Sequence, residues 1–172
     1  YRQRLPQLRI VNGYGPTETT VCATFYAFDT VTDPQGIVPI GKAVPGYEVY
    51  VVNAQGQQVP MGIKGEIVIG GAGLSRGYLN RPELMAERFI ENPFGAGKLY
   101  KTGDQARYLP DGNLEFLGRL DHQVKIRGFR VELREVEASL NQHPAIQQGV
   151  VIAEKTNQGH QSLLAYVVTS EY

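Results

Sequence analysis

Asn12-Gly13-Tyr14-Gly15-Pro16-Thr17-Glu18-Thr19-Thr20 gathers an aromatic ring, two glycines, several hydroxyls and one carboxylate into a short stretch. That mixture suits a nucleotide better than a hydrophobic core. Gly13 and Gly15 permit backbone angles and close approaches that a side chain blocks, and Pro16 holds the following turn while removing one donor. On such a rigid loop Tyr14 can stack on a base, the Thr17 hydroxyl can bond a phosphate oxygen, and Glu18 can offer a hard oxygen ligand to Mg2+. The same residues also fit a plainer arrangement, a strand-to-turn connection whose threonines cap a helix and whose glutamate is solvated.

Two further groups of residues carry chemistry. Tyr100-Lys101-Thr102-Gly103-Asp104 closes a strand on a glycine and an acid, which is what presenting a carboxylate to a pair of ribose hydroxyls requires. An acid that merely caps a turn has the same local pattern. From Phe116 to Arg130, four basic residues interleave with an apolar alternation, so one strand face can be buried while cations collect on the other, ready for phosphate or ribose. A solvated edge strand protected by charge reads alike. His122, His143 and His160 are too far apart for a local metal motif.

Most of the elements that position these residues are short strands with glycine punctuation. Leu8 to Val11 reads as a strand entering the Tyr14 loop, and Gly46 to Val52 and Glu66 to Ile69 are β-branched runs bounded by turns. These fit a distorted barrel or an open sheet. Pro82 to Phe89 reads as a helix with Asn80 or Arg81 near its cap and Leu84, Met85 and Phe89 as a core-facing stripe. Lys98 to Thr102, Gln105 to Leu109 and Asn113 to Leu117 read as consecutive strands, the last two joined through Pro110-Asp111-Gly112. The pattern changes near Asp121. A strand at Gln123 to Ile126, a turn at Gly128, a strand at Arg130 to Leu133, a helix from about Arg134 to Asn141, and strands at Gly149 to Ala153 and Leu163 to Val168 suggest a small α+β unit.

Composition bounds the class. The chain has 172 residues, with Lys and Arg totalling 17 against 17 for Asp and Glu, so no basic excess points to nucleic acid and no acidic tail is present. Cys22 is the only cysteine, which precludes an internal disulfide framework and fits a reducing compartment, the cytoplasm by default. No apolar run reaches the length of a membrane span, and Tyr1-Arg2-Gln3-Arg4-Leu5 lacks the order of a signal peptide. With no initiator methionine, the chain reads as a piece of a longer one.

Taken together, the residue groups resemble the adenylate-forming ligases, most closely the adenylation domains of non-ribosomal peptide synthetases. The resemblance rests on Asn12 to Thr20, Gly65-Glu66-Ile67-Val68-Ile69-Gly70-Gly71 followed by Ser75-Arg76-Gly77-Tyr78-Leu79, Tyr100 to Asp104, and the run from Gly118 to Glu137, in the family's order and approximate spacing. It extends from Leu5 to the end. It implies a mixed α+β fold in which residues 1–120 form the β-rich C-terminal part of a large subdomain and residues 121–172 begin a small mobile subdomain, with a hinge at Asp121. It implies that Asn12 bonds the adenine amino edge, Tyr14 stacks on the adenine and Phe116 closes the opposite face. Gly13 belongs to the same wall. By resemblance Thr17 bonds the α-phosphate, Glu18 holds Mg2+, Asp104 and Arg119 grip the ribose hydroxyls, and Lys125 reaches the nucleotide or the acyl substrate.

In the family the substrate carboxylate attacks the α-phosphorus of ATP, pyrophosphate leaves, and an acyl adenylate forms. Such chemistry needs charge neutralisation and alignment more than a general base. The small subdomain then turns about its hinge, and the resemblance brings the Arg127-Gly128-Phe129 turn to the site. Gly128 leaves room there for the phosphopantetheine arm of a carrier protein, although an ordinary hairpin also calls for glycine. Gly13, Val21 and Cys22 match positions lining the side-chain pocket of the selected amino acid, while plain packing explains Cys22 equally well. The amino acid itself is not legible. The partners implied are an amino acid, a peptidyl carrier protein, neighbouring synthetase domains and the rest of the same adenylation domain, with neither nucleic acid nor membrane. The family's glycine-rich phosphate loop and C-terminal lysine fall outside this stretch, so the resemblance gives activity to the complete domain and none to the 172 residues alone. Arg134 stands where the family commonly carries glycine. A free-standing acyl-CoA or aryl acid ligase shares part of the pattern, and a non-catalytic interaction module could keep the fold. Asp121 and the Gln123 to Gly128 run favour the peptide-synthetase branch.

Overall fold

The computed structural model describes residues 4, 7–28, 37–121, 123–126, 129–155 and 161–169, without the side chains of Lys125 and Lys155. The chain forms two compact units, Tyr1–Leu120 and Asp121–Tyr172. His122, Arg127, Gly128 and His160, each singled out in the sequence, lie outside the described residues.

In the first unit β1 (Ile10–Tyr14), β2 (Thr24–Phe28) and β3 (Lys42–Ala43) make an antiparallel sheet in that order. A second, curled sheet contains β4 (Tyr47–Val52), β5 (Gly65–Gly71), β6 (Phe89–Glu91), β7 (Lys98–Tyr108) and β8 (Leu114–Arg119). β7 pairs with β5, with β6 near its start and with β8 near its end. Side chains alternate across the pleat, so Val49 and Val51 share a cluster with their neighbours Ile69 and Ile67, joined by Ala23, Ile40, Ala106 and Leu114. Val68 turns to the other face, with Val52 and Leu99. Both faces of β5 are thus covered, and its run reads as continuously apolar for that reason.

The expected break between two strands at Gly103 is absent, because β7 runs unbroken through it. Gly103 adopts φ +71° inside a bulge where the ladder to β5 slips between Glu66 and Val68. Side chains satisfy the displaced backbone: Thr102 Oγ1 donates to the Ile67 carbonyl at 2.8 Å and accepts from the Asp104 N–H at 3.0 Å, while Glu66 accepts from the Gly103 N–H at 2.9 Å. The bulge aims Asp104. α1 (Pro82–Arg88) is a helix as expected, but it buries none of its residues. Phe89, assigned to its stripe, is instead a buried residue of β6 packed on Tyr100 at 5.1 Å.

In the second unit β9 (Val124–Ile126) pairs with β10 (Phe129–Val131), and α2 (Leu133–Leu140) packs on β11 (Ile146–Lys155), which pairs with β12 (Gln161–Thr169). Gly149 of β11 makes room for the helix, since a Cβ there would meet Leu140 Cδ2 at 2.6 Å. Glu137 and Asn141 of the helix end accept the Val151 and Gly149 N–H groups. The basic run from Phe116 to Arg130 is therefore not one strand with a cationic face. It is divided among β8, β9 and β10, and the boundary between the units cuts it after Leu120.

Candidate nucleotide site

β1 delivers Tyr14 to a loop that closes on itself, the Ala23 N–H donating to the Tyr14 carbonyl at 2.8 Å. A Cβ on Gly15 would stand 2.8 Å from Ala23 N and Val21 O, so only glycine admits this closure. Thr17–Thr19 form a single 3-10 turn, with the Thr19 hydroxyl and N–H both donating to the Pro16 carbonyl. Thr17 at its start is exposed. The plainer arrangement, capping threonines and a solvated glutamate, is not what forms. No threonine side chain caps the turn, and Glu18 is only 7% exposed.

The loop leaves the turn through strained backbone. Thr20 lies in the left-handed region and Val21 follows at φ +71°, with the Cys22 N–H donating to the Thr20 carbonyl at 2.9 Å across it. A β-branched residue at positive φ costs about 1–3 kcal/mol, and such strain collects at ligand sites. Burial does not compensate, because Val21 is 76% exposed. Val21→Gly is therefore expected to raise the unfolding free energy by about 1 kcal/mol, after subtracting glycine's extra unfolded-state entropy. A urea midpoint shifted upward at unchanged slope would register it. Of the expected pocket residues, Gly13 and Cys22 meet: a Cβ on Gly13 would lie 3.0 Å from Cys22 Sγ.

Four expected nucleotide residues converge in the first unit. Asp104 and Arg119 are register partners on β7 and β8, and Arg119 Nη1 donates to Asp104 Oδ1 at 2.8 Å. The Tyr14 phenol donates to Asp104 Oδ2 at 2.6 Å. Burial, reinforced by the charge of Asp104, pushes the Tyr14 phenol far above the ordinary tyrosine range, so it stays a neutral donor. The Tyr14 and Phe116 rings lie 6.3 Å apart at 38°, a direct aromatic contact. Asn12, one pleat back on the Tyr14 face, commits its amide nitrogen to the Pro39 carbonyl at 2.7 Å.

Sequence reasoning missed the residues that hold the turn. Tyr47 donates its hydroxyl to the Thr19 carbonyl, Thr20 Oγ1 donates to the Gly73 carbonyl, and the Ser75 N–H donates to the Glu18 carbonyl, each at 2.8 Å. Tyr78 donates to Glu18 Oε1 at 2.5 Å. Ser75 to Leu79 was legible as part of a motif, but nothing local ties it to a turn some sixty residues away. Lys125 and Asp121 belong to the second unit, where Lys125 is a backbone residue of β9 and Asp121 Oδ1 accepts the Gln123 N–H at 3.2 Å. Arg134 is the exposed second residue of α2. Among the described residues no group of three His, Cys, Asp or Glu could hold a metal ion, and no helix is long and apolar enough to cross a membrane.

The family model for AMP-binding enzymes matches residues 1–79, the stretch that carries the Tyr14 loop, the 3-10 turn and the Tyr78 segment. Tyrocidine synthase 1 of Brevibacillus parabrevis is 49% identical over 166 residues, 96% of this chain. The chain is similar to the AMP-binding enzymes over residues 1–79. Tyrocidine synthase 3 of the same organism is 50% identical over 163 residues, 94% of this chain. The solved structure of a holo non-ribosomal peptide synthetase protein containing adenylation and PCP domains, bound to a vinylsulfonamide inhibitor, superposes over 98% of this chain with a TM-score of 0.85 at 35% identity. The strand-rich α+β fold of this chain is thus that of part of an adenylation domain. It spans 15% and 2% of the two curated relatives and 30% of the solved chain.

Proposed function

We propose that this chain forms part of a domain that activates an amino acid with ATP, releasing pyrophosphate, and passes the acyl group to the phosphopantetheine thiol of a carrier protein. The observation that carries this reading is the convergence of Tyr14, Phe116, Asp104 and Arg119 in one unit with the Glu18 turn on the same loop as Tyr14. Asp104, its charge balanced by Arg119, accepts the ribose hydroxyls, and the Tyr14–Phe116 pair offers an aromatic surface to the adenine. Stacking of this kind contributes about 1–3 kcal/mol per base. With its nitrogen held by Pro39, Asn12 turns a carbonyl oxygen to the adenine amino group. Thr17, exposed at the start of the turn, donates to the α-phosphate.

A buried carboxylate on this turn fits a Mg2+ ion that arrives with the nucleotide, because Mg2+ keeps several waters and takes one or two carboxylates besides phosphate oxygens. Glu18 would hold it, and the ion would neutralise charge building on the phosphates. By family resemblance the roles of further cation, hinge and room for the pantetheine arm fall to Lys125, Asp121 and Gly128. Gly13, Val21 and Cys22 border the side-chain pocket. A cytoplasmic location accompanies this reading, with Cys22 reduced.

Amino-acid-dependent ATP-pyrophosphate exchange on the complete domain, across a panel of amino and aryl acids, tests the proposal. Exchange with an amino acid and transfer to a carrier protein is the expected result. Preference for an aryl acid with transfer to free coenzyme A, or no exchange with any acid, would overturn it.

A further inference from the structure

Glu18 hangs from a 3-10 turn of three residues, and a turn that short does little to fix a glutamate's rotatable bonds. The segment after β5 supplies the fixing. The Gly73 carbonyl holds the Thr20 hydroxyl, the Ser75 N–H holds the Glu18 carbonyl, and Tyr78 reaches the carboxylate itself. Tyr78 is in turn held firmly. Its ring meets Phe89 edge-on at 5.7 Å, Phe89 packs on fully buried Tyr100, and the Tyr78 oxygen lies 3.4 Å from the Tyr100 hydroxyl. Gly77, at φ +120°, lets the chain pass Met85, whose sulfur would stand 2.7 Å from a Cβ there.

We propose that Tyr78 is a positioning residue for Glu18: by donating to Oε1 from a ring wedged against Phe89, it sets the carboxylate in one orientation before nucleotide and divalent cation arrive. This rests on the reading of Glu18 as the cation-holding residue. A carboxylate oriented in advance loses less freedom when it binds, which is the usual gain from a supporting shell of hydrogen bonds. The bond is a charge-assisted O–H···O contact at the short limit of such contacts. Burial first, and the bond to Glu18 second, push the Tyr78 phenol well above the ordinary tyrosine range, so the donor persists at every working pH.

The test is Mn2+ binding, followed by electron paramagnetic resonance, to the complete adenylation domain with a non-hydrolysable ATP analogue. Tyr78→Phe keeps the ring against Phe89 and removes only the hydroxyl. It is expected to weaken Mn2+ about tenfold while leaving cation-free binding of the analogue unchanged. On a Glu18→Gln background the same substitution is expected to add no further loss, because Tyr78 acts through Glu18. Unchanged Mn2+ affinity in Tyr78→Phe, with loss in Glu18→Gln, overturns the positioning role and leaves Glu18 as the cation residue. No loss in either variant overturns both. Should Tyr78→Phe fail to fold, 4-fluorophenylalanine at position 78 keeps the ring against Phe89 and nearly fills the space of the hydroxyl but cannot donate to Glu18. It is expected to weaken Mn2+ to the same extent, and unchanged Mn2+ affinity in that variant overturns the proposal.

Discussion

Asp104→Ala is expected to raise the KM for ATP in pyrophosphate exchange by the complete domain more than about tenfold, at least about 1.4 kcal/mol of lost binding. The size follows from what the carboxylate does in its bulge. It is the acceptor for the Tyr14 phenol and the counter-ion for Arg119, through bonds of 2.6 and 2.8 Å. Alanine removes the ribose acceptor and also leaves a half-buried guanidinium and a buried phenol facing a void. Removing one partner of a buried pair costs about 3–5 kcal/mol, so part of the effect will appear as lower stability. Asp104→Asn separates the two consequences. The amide preserves volume and an acceptor for Tyr14 but not the charge facing Arg119, so it should recover much of the stability and less of the ATP affinity. Because the interaction is made equally in ground and transition states, kcat at saturating ATP should change far less than KM. A folded Asp104→Ala domain with unchanged KM for ATP would sink the ribose assignment.

The parts of this fold legible in the sequence are those whose physics is local. Glu66 to Ile69 reads as a strand because both faces of β5 are buried, and Pro110-Asp111-Gly112 reads as a turn because Asp111 folds back on Asn113, accepting its N–H at 2.9 Å. Gly103 reads as a strand end for an equally local reason, and the reading fails because the bonds that carry β7 onward come from Glu66 and Ile67 on another strand. Glu18 reads as a solvated acid or a metal ligand, and the distant Tyr78 supplies a donor to the carboxylate where it is buried. β2 was not legible because Thr24-Phe25-Tyr26-Ala27-Phe28 carries aromatics on both faces, and β3 is too short for any period to show. The candidate site follows the same division. Tyr14, Asp104 and Arg119 were visible as residue types in suggestive spacing, while their mutual bonds depend on register between β7 and β8 and on the approach of β1.

Gly41→Ala is expected to cost about 4 kcal/mol, the upper range for a point substitution. Two features coincide at this position. Gly41 has φ +89°, and a Cβ built on it would fall 1.9 Å from the Phe25 carbonyl oxygen and 2.4 Å from Tyr26 N. The first feature alone costs about 1–2 kcal/mol for alanine. The second admits no easy relief, because backbone pinches the site from both sides. Leu114, buried in the core, exchanges hydrogen bonds of 2.8 Å with Gly41 O and Ile40 N, and Thr24 donates to the Ile40 carbonyl at 2.6 Å. Gly62 provides the control, with φ +83° and nothing within 4 Å of its added Cβ, so Gly62→Ala should lose only the conformational part. Equal losses for the two variants in urea would show that close approach at Gly41 carries no energy. The difference should also reach the nucleotide. β2 pairs Phe25 with Gly13 and Thr24 with Tyr14, so any displacement that relieves Phe25 moves the loop carrying Tyr14 and Glu18. Whatever Gly41→Ala protein still folds should bind ATP more weakly, although no residue touching the nucleotide has changed.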